Sequence, residues 1–475
     1  MTVNRVPMTA GDILPPMQGA LLRGPRDRTF CGISTDSRTV GEGQLFWALK
    51  GENFDGHAFV KEAIQKGAAG AVVNKDNTVD LPVNTRAAIL GVPDTLKALG
   101  DLAGWWRHRF QARLAAITGS AGKTTTKEMT SAILSLEGFT LKNEGNFNNL
   151  IGLPLSLFLL HESHRYAVLE MGMNRPGEIS RLTEITDPDV GLITNVGRAH
   201  LEGVGSVEGV ARAKVELLEK MSPRALAILN GDDDLLMRAA GAFPVKPITF
   251  GEGPQNQVRA EKIRNLGREG FSFDIHWEGE SFPLRLRVPG LQNVQNALAA
   301  AAIALSMAVS TDRIQEGLGG FEGIKGRFQV VPLAAGSTLI DDTYNSNPSS
   351  LRAALQSLRA LAPQGAKVIV GLGEMLELGD ETVPGHLEAG VMVAEADADW
   401  FVALGDHAPE MIRGAIRTGY PPERAIRVKD HHEMGTKIIE VMKPGDLVFL
   451  KASRRTGLER VAERLMENGR GAGRV

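Results

Sequence analysis

Residues 115–128 read "AAITGSAGKTTTKE", whose glycines, lysine and row of threonines are the residue types of a phosphate cradle. In such a cradle the lysine reaches the terminal phosphates of a nucleotide and the hydroxyl after it ligates Mg²⁺, roles that fall on Lys123 and Thr124. The spacing departs from the common G-x-x-x-x-G-K-[ST] form, because Ile117 stands where the first glycine belongs and the earlier glycine is Gly119. The bland alternative is a glycine turn with a solvated lysine. Three more residues suit the same chemistry. Glu170 closes "YAVLEM", and a carboxylate there suits Mg²⁺, which takes hard oxygen ligands, although read alone it is as readily a structural hydrogen-bonder. His200 ends "DVGLITNVGRAH" and, read alone, is more often a loop residue than a ligand. Lys214 falls at position i+4 of an apolar stripe formed by Val210, Leu217, Leu218 and Met221. A lysine on that face is costly unless it snorkels or is chemically used. Snorkelling is one reading; the other is carbamylation, in which a desolvated neutral amine takes up CO₂ and becomes an anionic oxygen ligand for Mg²⁺.

These residues need a particular scaffold. "RLAAITG" reads as an apolar strand, "GSAGKT" as the turn and "TTTKEMTSAILSLEG" as a helix, so backbone N–H groups of the turn and helix N-terminus converge on one spot. Glu170 and His200 both follow apolar strands, where an open parallel sheet places its ligands. Short β-branched runs alternate with helical patterns along most of the chain, the pattern of α/β folds with parallel sheets. Residues 251–288 interrupt the alternation and read as β-hairpins. After "KGRFQVV" the alternation resumes, with strands expected at "STLIDD", "AKVIVGLG", "DWFVALG" and "DLVFLKAS". The organisation expected is three domains, 1–86, 87–325 and 326–475.

A chain of 475 residues exceeds one ordinary core, and its 54 glycines suit many tight strand–helix turns. Net charge of −3 gives no electrostatic footprint for nucleic acid. Cys31 is the single cysteine, so no intrachain disulfide forms and a reducing compartment fits. The opening "MTVNRVPMTAGDILPP" has no apolar core of a secretory signal. The longest nearly unbroken apolar run, "ALAAAAIALSMAV", has 13 residues, short of the ~18 that a spanning helix needs. A cytoplasmic, monomeric protein without stable membrane association or nucleic-acid partner is expected.

With these segments in place, the chain resembles the ATP-dependent Mur ligases, whose turn T-G-[ST]-x-G-K-T is matched by "TGSAGKT" and accounts for the unusual spacing. The resemblance runs through "STDSR", "GNFNNLIGLPLSL", "LEMGMNRPGEI", "ITNVGRAHLEG", "ARAKVELLE", "GLQNVQNALAAA", "GRFQVV", "DDTYNSNPSSLRAAL", "GEMLELGDE" and "KASRR". It implies an N-terminal UDP-binding α/β domain, a central ATPase domain on a mostly parallel P-loop-type sheet and a C-terminal Rossmann-like domain. It further implies ATP contacts at Thr118, Gly119, Ser120, Ala121, Gly122, Lys123, Thr124, Thr125, Asn293, Asn296, Arg327 and Asp342. One Mg²⁺ would sit on Thr124 and Glu170, and a second on His200 and a carbamylated Lys214. Substrate contacts would come from Ser37, Asn146, Asn148, Asn149, Asn345 and Asn347. For Asn293 and Asn296 the alternative is helix N-capping, and for Ser37 a plain turn serine. Two positions depart from the family pattern: Gln292 stands where a histidine is common, and Ala452 where glycine is usual. Within the family the third domain chooses the amine added. "DDTYNSNPSS" and "GEMLELGDE" are similar to the dipeptide-adding branch, and the D-N-P-R segment of the diaminopimelate-adding branch does not occur. The resemblance therefore implies that D-Ala-D-Ala is joined to UDP-N-acetylmuramoyl-tripeptide. The rivals are another amide ligase of the superfamily, adding diaminopimelate, lysine or glutamate, and a nucleotide-binding regulator without turnover. Lys123, Glu170, His200 and Lys214 occurring together argue against the regulator.

Overall fold

The computed structural model describes residues 8–51, 54–77, 86–333 and 336–471, with side chains through 467. The segment just before the expected boundary at 86 thus lies outside the described residues. Three α/β layers are built around a five-, a nine- and a six-stranded sheet, with a short pairing of Met8–Thr9 and Thr29–Phe30 beside the first. The nine-stranded sheet holds the cradle at its centre. From one edge its strands are Glu280–Leu286, Phe271–Trp277, Val258–Asn265, Ile248–Gly251, Leu226–Asn230, Val190–Ile193, Arg113–Thr118, Tyr166–Glu170 and Thr140–Lys142. Every pairing from Val258–Asn265 onward is parallel; the first three strands form the antiparallel meander expected from residues 251–288.

Both faces of the parallel strands are covered, which explains why "LAAIT" and "AVLE" are apolar without alternation. One face packs on the helix Gln292–Ser306, whose run of alanines allows close approach to the helix Lys123–Ser135. The other face shares a core with the helix Thr95–Arg107 and the first sheet. Two fully buried indoles tie that core together: Trp47 donates to the Thr95 carbonyl (2.8 Å) and Trp106 to the Leu160 carbonyl (3.0 Å). The six-stranded sheet runs Gln329–Pro332, Thr338–Asp342, Leu447–Lys451, Val368–Leu372, Trp400–Leu404 and Ala425–Val428, parallel except for its first strand. The strands expected at "STLIDD", "AKVIVGLG", "DWFVALG" and "DLVFLKAS" are all among them. No helix among the described residues is long and apolar enough to cross a membrane.

Candidate active site

The strand Arg113–Thr118 ends at a turn that only glycine tolerates at two places. Gly119 has φ +145°, and a Cβ there would lie 1.9 Å from Thr194 Oγ1; Gly122 has φ +82°, and a Cβ would lie 2.3 Å from Asn296 Oδ1. The turn is braced from the neighbouring strand end. Ser120 N donates to Asn195 O (3.0 Å), Ala121 N to Asn195 Oδ1 (2.9 Å), and Thr194 Oγ1 to Ala121 O (2.6 Å). The helix Lys123–Ser135 then begins, and the N–H groups of its first turn have no partners within the helix. The partly buried Lys123 ammonium folds back onto the Gly119 carbonyl at 2.7 Å.

Glu170, 3% exposed, is gripped on both carboxylate oxygens: Thr124 Oγ1 donates to Oε2 (2.7 Å) and Asn148 Nδ2 to Oε1 (2.8 Å). Burial pushes its carboxyl up, but Lys123, Arg327 and these hydrogen bonds outweigh it and hold the pKa below the ordinary value. His200 takes a left-handed backbone (φ 56°, ψ 30°) where the helix Leu201–Val204 begins, and its Nδ1 lies 2.8 Å from Glu377 Oε2. Burial holds the imidazole pKa below its usual value despite that carboxylate. Lys214 sits on the helix Val207–Lys220 with 0% exposure, and its Nζ has no hydrogen-bond partner. Burial, reinforced by the Lys123 charge, puts its pKa well below the ordinary lysine value. Snorkelling is therefore not what this lysine does, since no part of it reaches water. Among the described residues no three His, Cys, Asp or Glu side chains converge as a metal-binding group.

The six-stranded layer supplies the opposite wall. Arg327 Nη2 donates to Thr124 Oγ1 (3.0 Å) across the gap and lies over the Tyr344 ring, 3.9 Å from its centroid. Lys451 Nζ pairs with Asp342 Oδ2 (2.6 Å) and bonds the Asn345 carbonyl (3.0 Å). Burial raises the Asp342 pKa even so. Between the walls lies a cleft of about 810 Å³ lined by residues of both layers. It brings together Ser120–Thr125, Glu170, His200, Asn146, Asn148, Asn149, Asn293, Asn296, Arg327, Asp342, Asn345 and Asn347. Thr118 and Gly119 support the turn from beneath, the Thr118 hydroxyl bonding Met171 O (2.9 Å).

Several expected residues have local duties. Asn149 accepts from Ile151 N (3.1 Å) and Gly152 N (2.8 Å), and Asn347 caps the helix Pro348–Leu361 in a reciprocal box with Ser350. Capping is not the duty of Asn293 and Asn296: no side chain caps the helix Gln292–Ser306, and Asn296 Nδ2 donates instead to Asn293 Oδ1 (3.1 Å). Ser37 is buried in the first layer, where its carbonyl accepts from Lys66 Nζ (3.0 Å), and it is absent from the cleft lining. The Ala452 methyl, buried just past the end of the interior strand Leu447–Lys451, fits because Gly373 lacks a Cβ, which would stand 2.8 Å from it. Sequence reading missed Asn143, Asn195, Tyr344 and Glu377; the last was visible in "GEMLELGDE", but nothing in that run pointed to His200.

Three family models match in chain order: "Mur ligase family, catalytic domain" over residues 29–107, "Mur ligase middle domain" over 117–304 and "Mur ligase, glutamate ligase domain" over 326–454. The UDP-N-acetylmuramoyl-tripeptide–D-alanyl-D-alanine ligase of Bacillus subtilis is 34% identical over 461 residues, covering 97% of this chain and 98% of that one. The chain belongs to the Mur ligase family. The ligase of the same name from Escherichia coli is 36% identical, with 93% of this chain and 95% of that one covered. Among solved structures, MurF from Acinetobacter baumannii superposes with a TM-score of 0.88 at 36% identity, covering 98% of this chain and 100% of that one. MurF from Thermotoga maritima, solved in complex with ADP, gives 0.82 at 27% identity, covering 93% and 98%. This Mur ligase thus has the α/β architecture expected from its motifs.

Proposed function

We propose that the chain joins D-alanyl-D-alanine to UDP-N-acetylmuramoyl-tripeptide, with ATP converted to ADP and phosphate, in building a peptidoglycan precursor. The observation that carries this reading is the cleft between the glycine turn and the "YNSNPSS" and "KASRR" wall. Relatives of that name match over nearly the whole chain, and the ADP complex of the Thermotoga maritima protein supports nucleotide use.

In the first step a carboxylate oxygen of the tripeptide attacks the γ-phosphorus of ATP, the bond to the bridging oxygen breaks, and ADP leaves. In the second the dipeptide amine attacks the acyl carbon, the C–O bond to phosphate breaks and the amine gives up a proton. Catalysis of phosphoryl transfer is positioning and charge neutralisation. Lys123 leaves the Gly119 carbonyl for the terminal phosphates, while Arg327 and Asp342 clamp the nucleotide from the opposite wall and Asn293 and Asn296 face its base. Thr124 and Glu170 fit one Mg²⁺, since both offer hard oxygens. His200 and Lys214 would hold a second, and a buried amine without a partner fits carbamylation. When bound, the two ions neutralise phosphate charge. Asn146, Asn148 and Asn149 face the sugar-peptide, Ser37 the uridine diphosphate, and Asn345 and Asn347 the dipeptide. These roles divide over 1–86, 87–325 and 326–475. This reading takes the protein as a monomer acting in the cytoplasm, where ATP is supplied. Phosphate release with UDP-N-acetylmuramoyl-tripeptide tests the acceptor: D-Ala-D-Ala supports turnover and free diaminopimelate, lysine or glutamate do not, whereas the reverse pattern overturns the assignment.

A further inference from the structure

Behind the cleft lies a lysine that the chemistry above does not use. Lys127 is 1% exposed, one turn along the helix Lys123–Ser135 from Thr124, and its Nζ donates to the Asn143 carbonyl at 2.5 Å. Glu128 Oε1 stands 3.1 Å from the same ammonium, and Glu128 Oε2 pairs with Lys142. A buried ammonium is retained only where its partners compensate for lost water, so this contact holds Asn143 firmly.

Asn143, 2% exposed, has a specific task. The strand Thr140–Lys142 pairs with Tyr166–Glu170 only as far as Lys142 opposite Val168. Beyond that point the Asn143 side chain takes over the ladder. Its Oδ1 accepts from Glu170 N and its Nδ2 donates to Glu170 O, both at 2.9 Å. The same Nδ2 donates to Phe147 O at 2.8 Å, in the loop whose next residue, Asn148, bonds the Glu170 carboxylate. A closed ring therefore runs from Asn143 through the Glu170 backbone and carboxylate to Asn148 and back along the loop, and Lys127 fastens it to the helix that carries Thr124.

We propose that Asn143 and Lys127 are positioning residues that fix the Glu170 carboxylate and the 144–149 loop relative to the glycine turn. Their effect is on the metal-dependent part of nucleotide binding and on turnover, not on phosphate contact as such. The proposal rests on the reading above, for its catalytic consequence on the assigned reaction and for its binding consequence only on Mg²⁺ at Thr124 and Glu170. The sharpest variant is Asn143→Asp, which keeps size and shape while turning the donor into an acceptor that faces two carbonyl oxygens. Lys127→Met is the second variant, and it leaves Asn143 itself intact.

Calorimetry of the full chain with ADP, without and with MgCl₂, reads the effect directly. For both variants ADP affinity without metal stays within about twofold of the parent, while the gain in affinity on adding MgCl₂ falls about tenfold, the range typical for groups that orient metal ligands. In phosphate release the MgCl₂ needed for half-saturation rises about tenfold, and the KM for D-Ala-D-Ala is unchanged. A parent-like metal-dependent gain in both variants overturns the proposal. So does an equal loss of ADP affinity without metal, which marks general damage to the site. A parent protein inert towards D-Ala-D-Ala would defeat the functional reading alone, because the ADP arm needs no acceptor.

Discussion

Lys214 concentrates the chemistry of a single residue. Its ammonium form is opposed by full burial and by the Lys123 charge, which push its pKa well below the ordinary lysine value and favour the neutral amine, the form that can add CO₂. Lys214→Ala is expected to lower kcat by about a hundredfold while ADP affinity without metal stays within about twofold, and short carboxylic acids that fit the vacated space restore part of the rate. Lys214→Arg keeps a cation but forms no carbamate, so it is as inactive as the alanine variant; parent-like turnover in it contradicts carbamylation. The lysine was legible from the apolar stripe around it, but the choice between snorkelling and chemical use was not, because periodicity gives a face and not a depth. The glycine turn was legible more fully. Gly122 needs both a left-handed backbone and room for Asn296, so Gly122→Ala costs about 1–2 kcal/mol of backbone strain and displaces Asn296. Weaker ADP binding with little change in dipeptide KM is the expected result, checked by calorimetry and initial rates; unchanged ADP affinity would contradict it.

Secondary-structure elements place these residues, and one junction between them carries its own pH dependence. Phe139 precedes the strand Thr140–Lys142, and His164 precedes Tyr166–Glu170. Their rings stack at 4.5 Å, and His161 lies edge-on to His164 at 4.1 Å. Burial, with His161 beside it, lowers the His164 pKa to about 4, and its Nδ1 accepts from His161 N (3.1 Å). The unfolded chain takes up this proton near pH 6.5, before the folded chain does, so the contribution is complete above about 6.5 and is lost as pH falls towards 4. His164→Gln removes that titration. Its melting temperature should fall less than the parent's between pH 7 and pH 5, and an equal fall would show that the ring does not titrate differently on folding. The strands and helices here were legible because uninterrupted apolar runs, glycine turns and capping residues mark them. The duties of the asparagines were not. An amide serves a ligand and a backbone equally well, and only the end of strand pairing at Lys142 shows why Asn143 faces Glu170 while Asn149 and Asn347 serve helix starts.

Across the whole molecule, the site exists only while the six-stranded layer rests on the nine-stranded one. Arg327 meets Thr124, and the Arg268 guanidinium bonds the Leu361 carbonyl (3.1 Å). At the other end of the cleft Arg198 grips both oxygens of Glu388, which also accepts from Arg352 at 2.9 Å, and Glu202 N bonds Glu377 O at 3.2 Å. Arg198 and Glu388 are partly exposed, so their pairing is worth little to stability and is screened by salt, yet it spans the two layers. Arg198→Gln is therefore expected to leave the melting temperature nearly unchanged, to enlarge the radius of gyration seen by small-angle scattering, and to lower kcat two- to fivefold. An unchanged scattering profile would count against this latch. The parts of the cleft were legible as separate motifs, but their meeting was not, since residues 124 and 327 are joined by nothing in local sequence. The central claim is that a peptide carboxylate is activated by phosphorylation in this cleft. With ¹⁸O in both oxygens of the reacting carboxylate of UDP-N-acetylmuramoyl-tripeptide, turnover with ATP and D-Ala-D-Ala should place one ¹⁸O in the released phosphate. Phosphate free of label, or label appearing in AMP, would contradict it.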